Sequence, residues 1–220
     1  MNDYRGDVVP GGPSDVRELS ALTIRKASVG TLDNNAYLLT CRATAAQLLI
    51  DAADDADRLR SLVDEGTGDL DVIVTTHEHW DHHRALAELV EGTGCATAAG
   101  EDDADALPLP PDLRLRHGDR VRFGDLELEV ISLRGHTPGS VALLYTDPDG
   151  SAHLFTGDSL FPGGPGRTTS PEHFTSLMDD LESRVFAELP DGTWVYPGHG
   201  KDTTLGAERP HLPEWRDRGW

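Results

Sequence analysis

The 220-residue chain has only two cysteines, Cys41 and Cys95, and neither belongs to a CxxC pair. That excludes a disulfide framework and leaves a thiolate zinc site without support; both read as buried free thiols. Lysine is scarce too. Of 19 basic residues only Lys26 and Lys201 are lysine, so few ammonium groups remain to grip an anionic substrate. Positive charge as a whole is outnumbered by 39 Asp and Glu, for a formal net charge of -20. A field of that sign repels phosphate backbones, which makes nucleic acid a poor partner, and it favours cations. An acidic surface that serves only solubility fits the same total. No apolar run approaches the ~20 residues needed to cross a membrane. The first residues lack the basic start and apolar stretch of a secretory signal and carry Pro10, Gly11, Gly12 and Pro13, so residues 1–15 are expected to form a flexible tail. A cytoplasmic location and no membrane partner follow as expectations.

What is present is globular in balance: 37% hydrophobic and 26% charged residues, enough for one domain over residues 16–220. Residues 16–52 hold short apolar runs broken by Gly30, Asp33, Asn34 and Asn35, and read as strands. Residues 54–65 repeat Leu59, Leu62 and Val63 at helical spacing before Gly66. Residues 71–76 are a β-branched buried strand ending directly in His77. A helix is expected over residues 85–90, closed by Gly92. Residues 120–123 and 126–131 alternate as a hairpin about Gly124-Asp125. Strands follow at 140–145 and 153–156, a helix at 172–189, and a last strand at 193–196. Strands, helices, strands, helices suit a layered α/β or α+β sandwich.

His77-Glu78-His79-Trp80-Asp81-His82 packs four metal-ligand candidates into six residues. In an extended segment His77 and His79 point to one side and can reach one ion. Asp81 and His82, where the chain turns toward the next helix, can face a second. Imidazole and carboxylate suit zinc, iron or manganese. Three later segments each place one donor after a strand, beside glycine: Gly135-His136-Thr137-Pro138-Gly139, Gly157-Asp158 and Pro197-Gly198-His199-Gly200. Alone each reads as a structural turn; together with the first cluster they supply seven donors, a set for two ions. His83, His117, His153, His173 and His211 are read as structural or surface residues. Trp80 is read as packing rather than substrate stacking.

These four segments resemble the signature of the metallo-β-lactamase superfamily, and most of all its glyoxalase II-like hydrolases, over residues 24–205. The resemblance implies a four-layer αββα sandwich with metals at one edge. It assigns His77, His79 and His136 to one divalent ion and Asp81, His82 and His199 to another, with Asp158 bridging; spacing alone does not make that partition. It implies hydrolysis of a small-molecule thioester, such as a hydroxyacylglutathione, by a hydroxide shared between two ions, zinc first. Asp158 and Asp81 are then the catalytic carboxylates, Asp158 holding the ions and Asp81 orienting the hydroxide. The loop from Gly163 to Thr168 resembles one near the metals, where Arg167 either meets a substrate carboxylate or pins the loop. Full-length glyoxalase II proteins carry an additional C-terminal helical region, whereas residues 203–220 read as a short tail. The same ligand pattern also resembles lactonases. It resembles persulfide dioxygenases as well, whose single iron would use His77, His136 and Asp158.

Overall fold

The computed structural model describes residues 4–219. Strands β1 (Asp15–Glu18), β2 (Leu22–Val29), β3 (Asn34–Cys41) and β4 (Gln47–Ile50) pair antiparallel in chain order. Strands β5 (Val72–Thr75), β6 (Ala96–Gly100) and β7 (Leu113–Leu115) extend the same sheet in parallel, giving seven strands among the described residues. A second sheet holds β8 (Arg120–Phe123), β9 (Leu126–Ser132), β10 (Val141–Thr146) and β11 (Ala152–Gly157). After a small β12 (Leu160–Phe161) and β13 (Gly164–Pro165) ribbon, β14 (Trp194–Pro197) joins that sheet parallel to β11, and β15 (Thr203–Thr204) closes its edge.

Alternation along the strands decides how these sheets stack. Leu22 and Ile24 of β2, with Tyr37, Leu39 and Cys41 of β3, face the second sheet and pack with Leu128, Val130, Leu143, Phe155 and Tyr196 in one core. The opposite faces carry their own helices. Ala27, Val29, Ala36 and Leu38 pack under α1 (Ala56–Gly66) and α2 (Leu86–Thr93), through Leu59, Leu62, Val63, Leu86 and Leu89. Ile131, Leu133, Ala142 and Leu154 pack under α3 (Pro171–Asp180) through Phe174, Leu177 and Met178. Four layers result, helix, sheet, sheet, helix, as expected.

Local signals place the helices. Asp55 accepts from Arg58 N at 3.1 Å to start α1, and Ser170 accepts from His173 N at 3.2 Å, with Pro171 in the first turn, to start α3. The α3 axis continues as a π-helical turn from Leu181 to Phe186 rather than as one α-helix to residue 189. Helix α2 runs past Gly92 and ends on Gly94, which takes the left-handed cap.

Both expected tails are tied down. Residues 4–15 dock: Tyr4 Oη donates to Asp202 Oδ2 at 2.6 Å, Arg5 and Gly6 N–H groups donate to Asp15 Oδ2, and Gly11 N donates to Ser28 O. Beyond β15, the short helices α4 (Leu205–Glu208) and α5 (Leu212–Arg218) bury Leu205 and Trp215 in the core beneath α3. Cys41 and Cys95 are buried free thiols. Among the described residues no helix is long and apolar enough to cross a membrane.

Candidate metal centre

Five strand ends and turns meet at one edge of the sandwich. His77 follows β5, His136 follows β9, and Asp158 and His199 follow the parallel neighbours β11 and β14. Val141 N donates to Thr76 O at 2.9 Å, which joins the two sheets here. The start of β3 is stitched in by Asn35 N to Gly198 O at 2.7 Å, and Gly198 N reaches Gly157 O at 2.8 Å. Residue 198 must be glycine: a Cβ there would lie 2.2 Å from Asp158 Oδ1 and 2.7 Å from the His82 ring.

The seven candidate donors converge. His77, His79 and His136 form one group of facing ligand atoms, and Asp81, His82 and His199 another, each with all atoms within 4.8 Å of one another. Asp158 touches both: Oδ1 lies 3.4 Å from His82 Nε2, while Oδ2 lies 3.7 Å from His136 Nε2 and 3.5 Å from His199 Nε2. His199 Nε2 is 3.4 Å from Asp81 Oδ2 and 3.2 Å from His82 Nε2. Two ligands of a tetrahedral ion with bonds near 2.0–2.1 Å stand about 3.3 Å apart, so these separations fit donors that could gather around a cation.

Every imidazole but one is fixed from behind. His82 Nδ1 donates to Asp51 Oδ2 at 2.8 Å, His136 Nδ1 to Arg167 O at 2.7 Å, and His199 Nδ1 to Leu32 O at 2.9 Å. His77 Nδ1 sits 3.0 Å from Thr76 Oγ1, which donates to the same Asp51 Oδ2 at 2.8 Å. One buried carboxylate therefore orients two rings, and the backing bonds set the tautomer that leaves Nε2 facing inward. Asn34 Nδ2 likewise holds Asp81 Oδ2 at 3.0 Å.

The facing atoms are not satisfied by the protein. His77 Nε2, His136 Nε2 and Asp158 Oδ1 are buried without a hydrogen-bond partner. One such atom costs roughly 1–3 kcal/mol, and three in a single spot fit a bound cation far better than a resting polar core. Charge follows the same logic. Burial, reinforced by the neighbouring imidazoles, drives His77 well below the ordinary histidine value, and burial also lowers His136 against the pull of Asp158. Burial alone would lower His82 as well, but Asp51 and Asp158 override it and lift the ring to about 10. A cation at His82 Nε2 must therefore displace a proton. Burial opposes the ionised form of Asp158 and Asp81, yet the His82 contact and the Asn34 bond respectively hold both below the usual carboxylate value.

The other residues singled out from the sequence fall outside the cluster. Arg167 contributes its carbonyl to His136, while its exposed guanidinium has no partner among the described residues. His83 bonds Glu78 O at 3.0 Å, and His153 is buried against the Tyr196 hydroxyl at 2.9 Å. Trp80 does not pack inward: it is 52% exposed, with the Arg84 guanidinium 3.9 Å over its ring. Sequence reasoning missed Asp51, Asn34 and Asp103. Asp103 is fully buried and accepts from Glu78 N, Thr137 Oγ1 and Gly139 N, tying the His77–His82 loop to the His136 loop.

Known proteins are similar to this chain to different depths. A hydroxyacylglutathione hydrolase of Rhodopseudomonas palustris (strain BisB18) is 39% identical over 170 residues, which cover 76% of this chain and 62% of the relative. The chain thus matches somewhat under two thirds of the length of such curated relatives. Among solved structures, TTHA1623 in a di-iron-bound form is 35% identical at a TM-score of 0.69, covering 84% of this chain and 96% of that one. ETHE1 from Myxococcus xanthus is 32% identical at a TM-score of 0.74, covering 86% and 83%. The Metallo-beta-lactamase superfamily pattern matches residues 29–199, a span that begins in β2 and ends on the last of the converging imidazoles, and the chain belongs to that superfamily.

Proposed function

We propose that this chain is a metal-dependent hydrolase of small thioesters, with His77, His79, Asp81, His82, His136, Asp158 and His199 holding two divalent cations, zinc first and iron or manganese as alternatives. The observation that carries the reading is the set of orphaned buried atoms, His77 Nε2, His136 Nε2 and Asp158 Oδ1, facing one another. The relatives named hydroxyacylglutathione hydrolase support the substrate class, and the di-iron neighbour supports two ions. Bound there, the cations would supply a low-pKa water and Lewis acidity at a carbonyl.

The chain's own residues do the rest. Asp158, with one oxygen toward His82 and the other toward His136 and His199, fixes the spacing of the two imidazole groups. Asp81, held by Asn34, accepts a hydrogen bond from the attacking water and aims it. A thiolate leaves without an acid, because its pKa is already low. Arg167, exposed and unpaired beside the carbonyl that holds His136, meets a carboxylate of the substrate. A reducing cytoplasm suits the two free thiols.

One panel on metal-reconstituted protein tests this: hydroxyacyl thioesters, lactones, phosphodiesters and persulfides, with metal content measured alongside. Thioester turnover with two metals per chain is expected, and both should fall in His79→Ala. Two metals and full turnover in that variant, or no thioester turnover in the wild type, overturns the reading. A one-iron persulfide dioxygenase would need only His77, His136 and Asp158, and would leave the gathered Asp81, His82 and His199 without a task; a single iron with oxygen uptake would establish it.

A further inference from the structure

At the far end of the sandwich from the metal centre, β11 and β14 begin beside β1, and a hollow of about 430 Å³ opens there. Tyr4, Arg17, Leu19, Ser151, His153 and Trp194 wall it. That volume lies within the ~300–1,000 Å³ of small-molecule sites. The metal centre is roughly 15 Å away along the strands, since Asp158 and His199 follow their other ends. Arg17 is held in the hollow with its plane already set. Its guanidinium carbon sits 3.7 Å from the centre of the Trp194 ring and 4.2 Å from that of Tyr4, and Nη1 donates to Tyr196 Oη at 2.9 Å. Two ring faces and one hydrogen bond fix the group before any ligand arrives.

Arginines in this acid-rich chain usually hold a carboxylate, as Arg84, Arg116 and Arg209 do. Arg17 makes no ion pair among the described residues, and its Nε and Nη2 have no partner there. The hydrogen-bond chain that it starts also ends unspent. Tyr196 Oη donates to His153 Nδ1 at 2.9 Å, His153 Nε2–H reaches Ser151 Oγ at 3.3 Å, and the Ser151 hydroxyl proton has no acceptor among the described residues. Donors are thus left over at both ends of one chain, on Arg17 and on Ser151, and both line the hollow. The acids nearby are turned away or occupied. Glu18 borders the hollow but follows Arg17 in β1, so its exposed side chain leaves the strand from the other face. Asp147 is spent on Ser20, Ala21 and Tyr145, and Asp149 on Ser151 N.

We propose that this hollow is a binding site for a small organic carboxylate with a compact apolar body, separate from the metal centre. The flat guanidinium edge of Arg17 matches the two coplanar oxygens of a carboxylate, and the Ser151 hydroxyl donates to one of them. The body of the ligand lies against Leu19 and Ala152. Charge selects the class. A carboxylate brings one negative charge, whereas a phosphate dianion would carry more into the field of Glu18, Asp147 and Asp149 and of a chain with net charge -20. A neutral ligand leaves the guanidinium without a counter-charge. The site borrows nothing from the hydrolase reading and stands or falls without it.

Benzoate, its neutral isostere benzamide and inorganic phosphate are the probes, titrated into zinc-loaded, isotope-labelled protein with the indole N–H resonances as readout. Trp194 reports on the hollow, and Trp80, in the loop that carries His79 and Asp81, reports on the metal centre. Benzoate is expected to move the Trp194 signal saturably, with a Kd about tenfold below those of benzamide and phosphate, the scale of a hydrogen bond to a charged group. Chelator treatment should leave that response unchanged. Arg17→Met, which keeps the contact with the rings, should weaken benzoate about tenfold and benzamide hardly at all. Arg17→Lys keeps the charge without the fork and should recover only part of the loss. Ser151→Ala, a change in a turn that leaves the Arg17 stack alone, should weaken benzoate about threefold. A benzoate response at Trp80 alone, its loss on chelation, tighter binding of phosphate than of benzoate, or unchanged benzoate affinity in both Arg17→Met and Ser151→Ala overturns the site.

Discussion

Two buried polar clusters lie close together in this molecule and are built on opposite principles. Behind the His199 loop, Lys26 is fully buried, yet its ammonium donates to Gly6 O at 2.9 Å, Gly200 O at 2.7 Å and Asp202 Oδ1 at 2.6 Å. Asp202 in turn accepts from Tyr4 Oη and Trp194 Nε1. Every strong group there has its partner within the chain. On the other side of His199, the rings are braced from behind, but His77 Nε2, His136 Nε2 and Asp158 Oδ1 face each other with nothing to bond. A satisfied cluster holds the fold together; an unsatisfied one, rigidly held, is built for something that arrives from outside.

Removing a member of each cluster should therefore break different things. Asp158→Ala is expected to lower thioester turnover on the order of 10³-fold and to reduce metal content, the scale seen when a key electrostatic group is deleted. Urea unfolding of the chelator-treated variant should fall below chelator-treated wild type by no more than about 2 kcal/mol, because His82 keeps its 2.8 Å bond to Asp51 when the 3.4 Å contact with Asp158 Oδ1 is removed. A large loss of stability in that metal-free comparison would show Asp158 to be a structural residue and erase the contrast.

Lys26→Met should show the reverse. It takes the counter-charge from the buried Asp202 carboxylate and a donor from Gly6 O, and should destabilise by about 3 kcal/mol, as broken buried ion pairs do. Metal content per folded chain is expected to survive, since Asn35 Nδ2 also bonds Gly200 O at 3.0 Å and Pro197 O at 2.9 Å and keeps the His199 loop in place. Loss of metal at unchanged stability would make Lys26 part of the centre instead.

The unsatisfied cluster was the more legible of the two from sequence. Its donors are dense, as in His77 to His82, or flanked by glycine at strand ends, as at His136, Asp158 and His199. The satisfied cluster joins residues 4, 26, 194 and 202, and nothing local announces that they meet. Asp51 escaped notice for a similar reason. It sits among several acids, Asp51, Asp54 and Asp55, and only its place at the end of β4, hydrogen-bonded beside the strand that delivers Thr76 and His77, marks it as the group that aims two imidazoles. Strand β6 was missed because Ala96 to Gly100 has little β-branched character; it is a strand because β5 and β7 flank it. The closing helices were missed because each is too short to show a period, although Trp215 anchors one of them in the core.

His153 allows the finest cut between the two kinds of cluster, because it is a histidine near the first that behaves as a member of a satisfied network. Arg17 donates to Tyr196 Oη at 2.9 Å, that hydroxyl donates to His153 Nδ1 at 2.9 Å, and Nε2–H reaches Ser151 Oγ at 3.3 Å, a chain that needs the ring neutral. Burial, with Arg17 second, pushes its pKa down to about 4, against the opposing pull of Asp147 and Asp149. A depressed folded value means that the unfolded chain binds the proton first. The stabilisation is thus present above about pH 6.5 and drains away as the pH falls toward 4. Between pH 7 and 5.5 the loss from this one ring should be roughly 1 kcal/mol. Urea unfolding of metal-loaded protein across that interval should give a steeper decline for wild type than for His153→Gln, which keeps polar atoms in place but cannot titrate. Equal slopes would mean that the folded ring takes up its proton as readily as the unfolded chain does, and that the network does not hold it neutral.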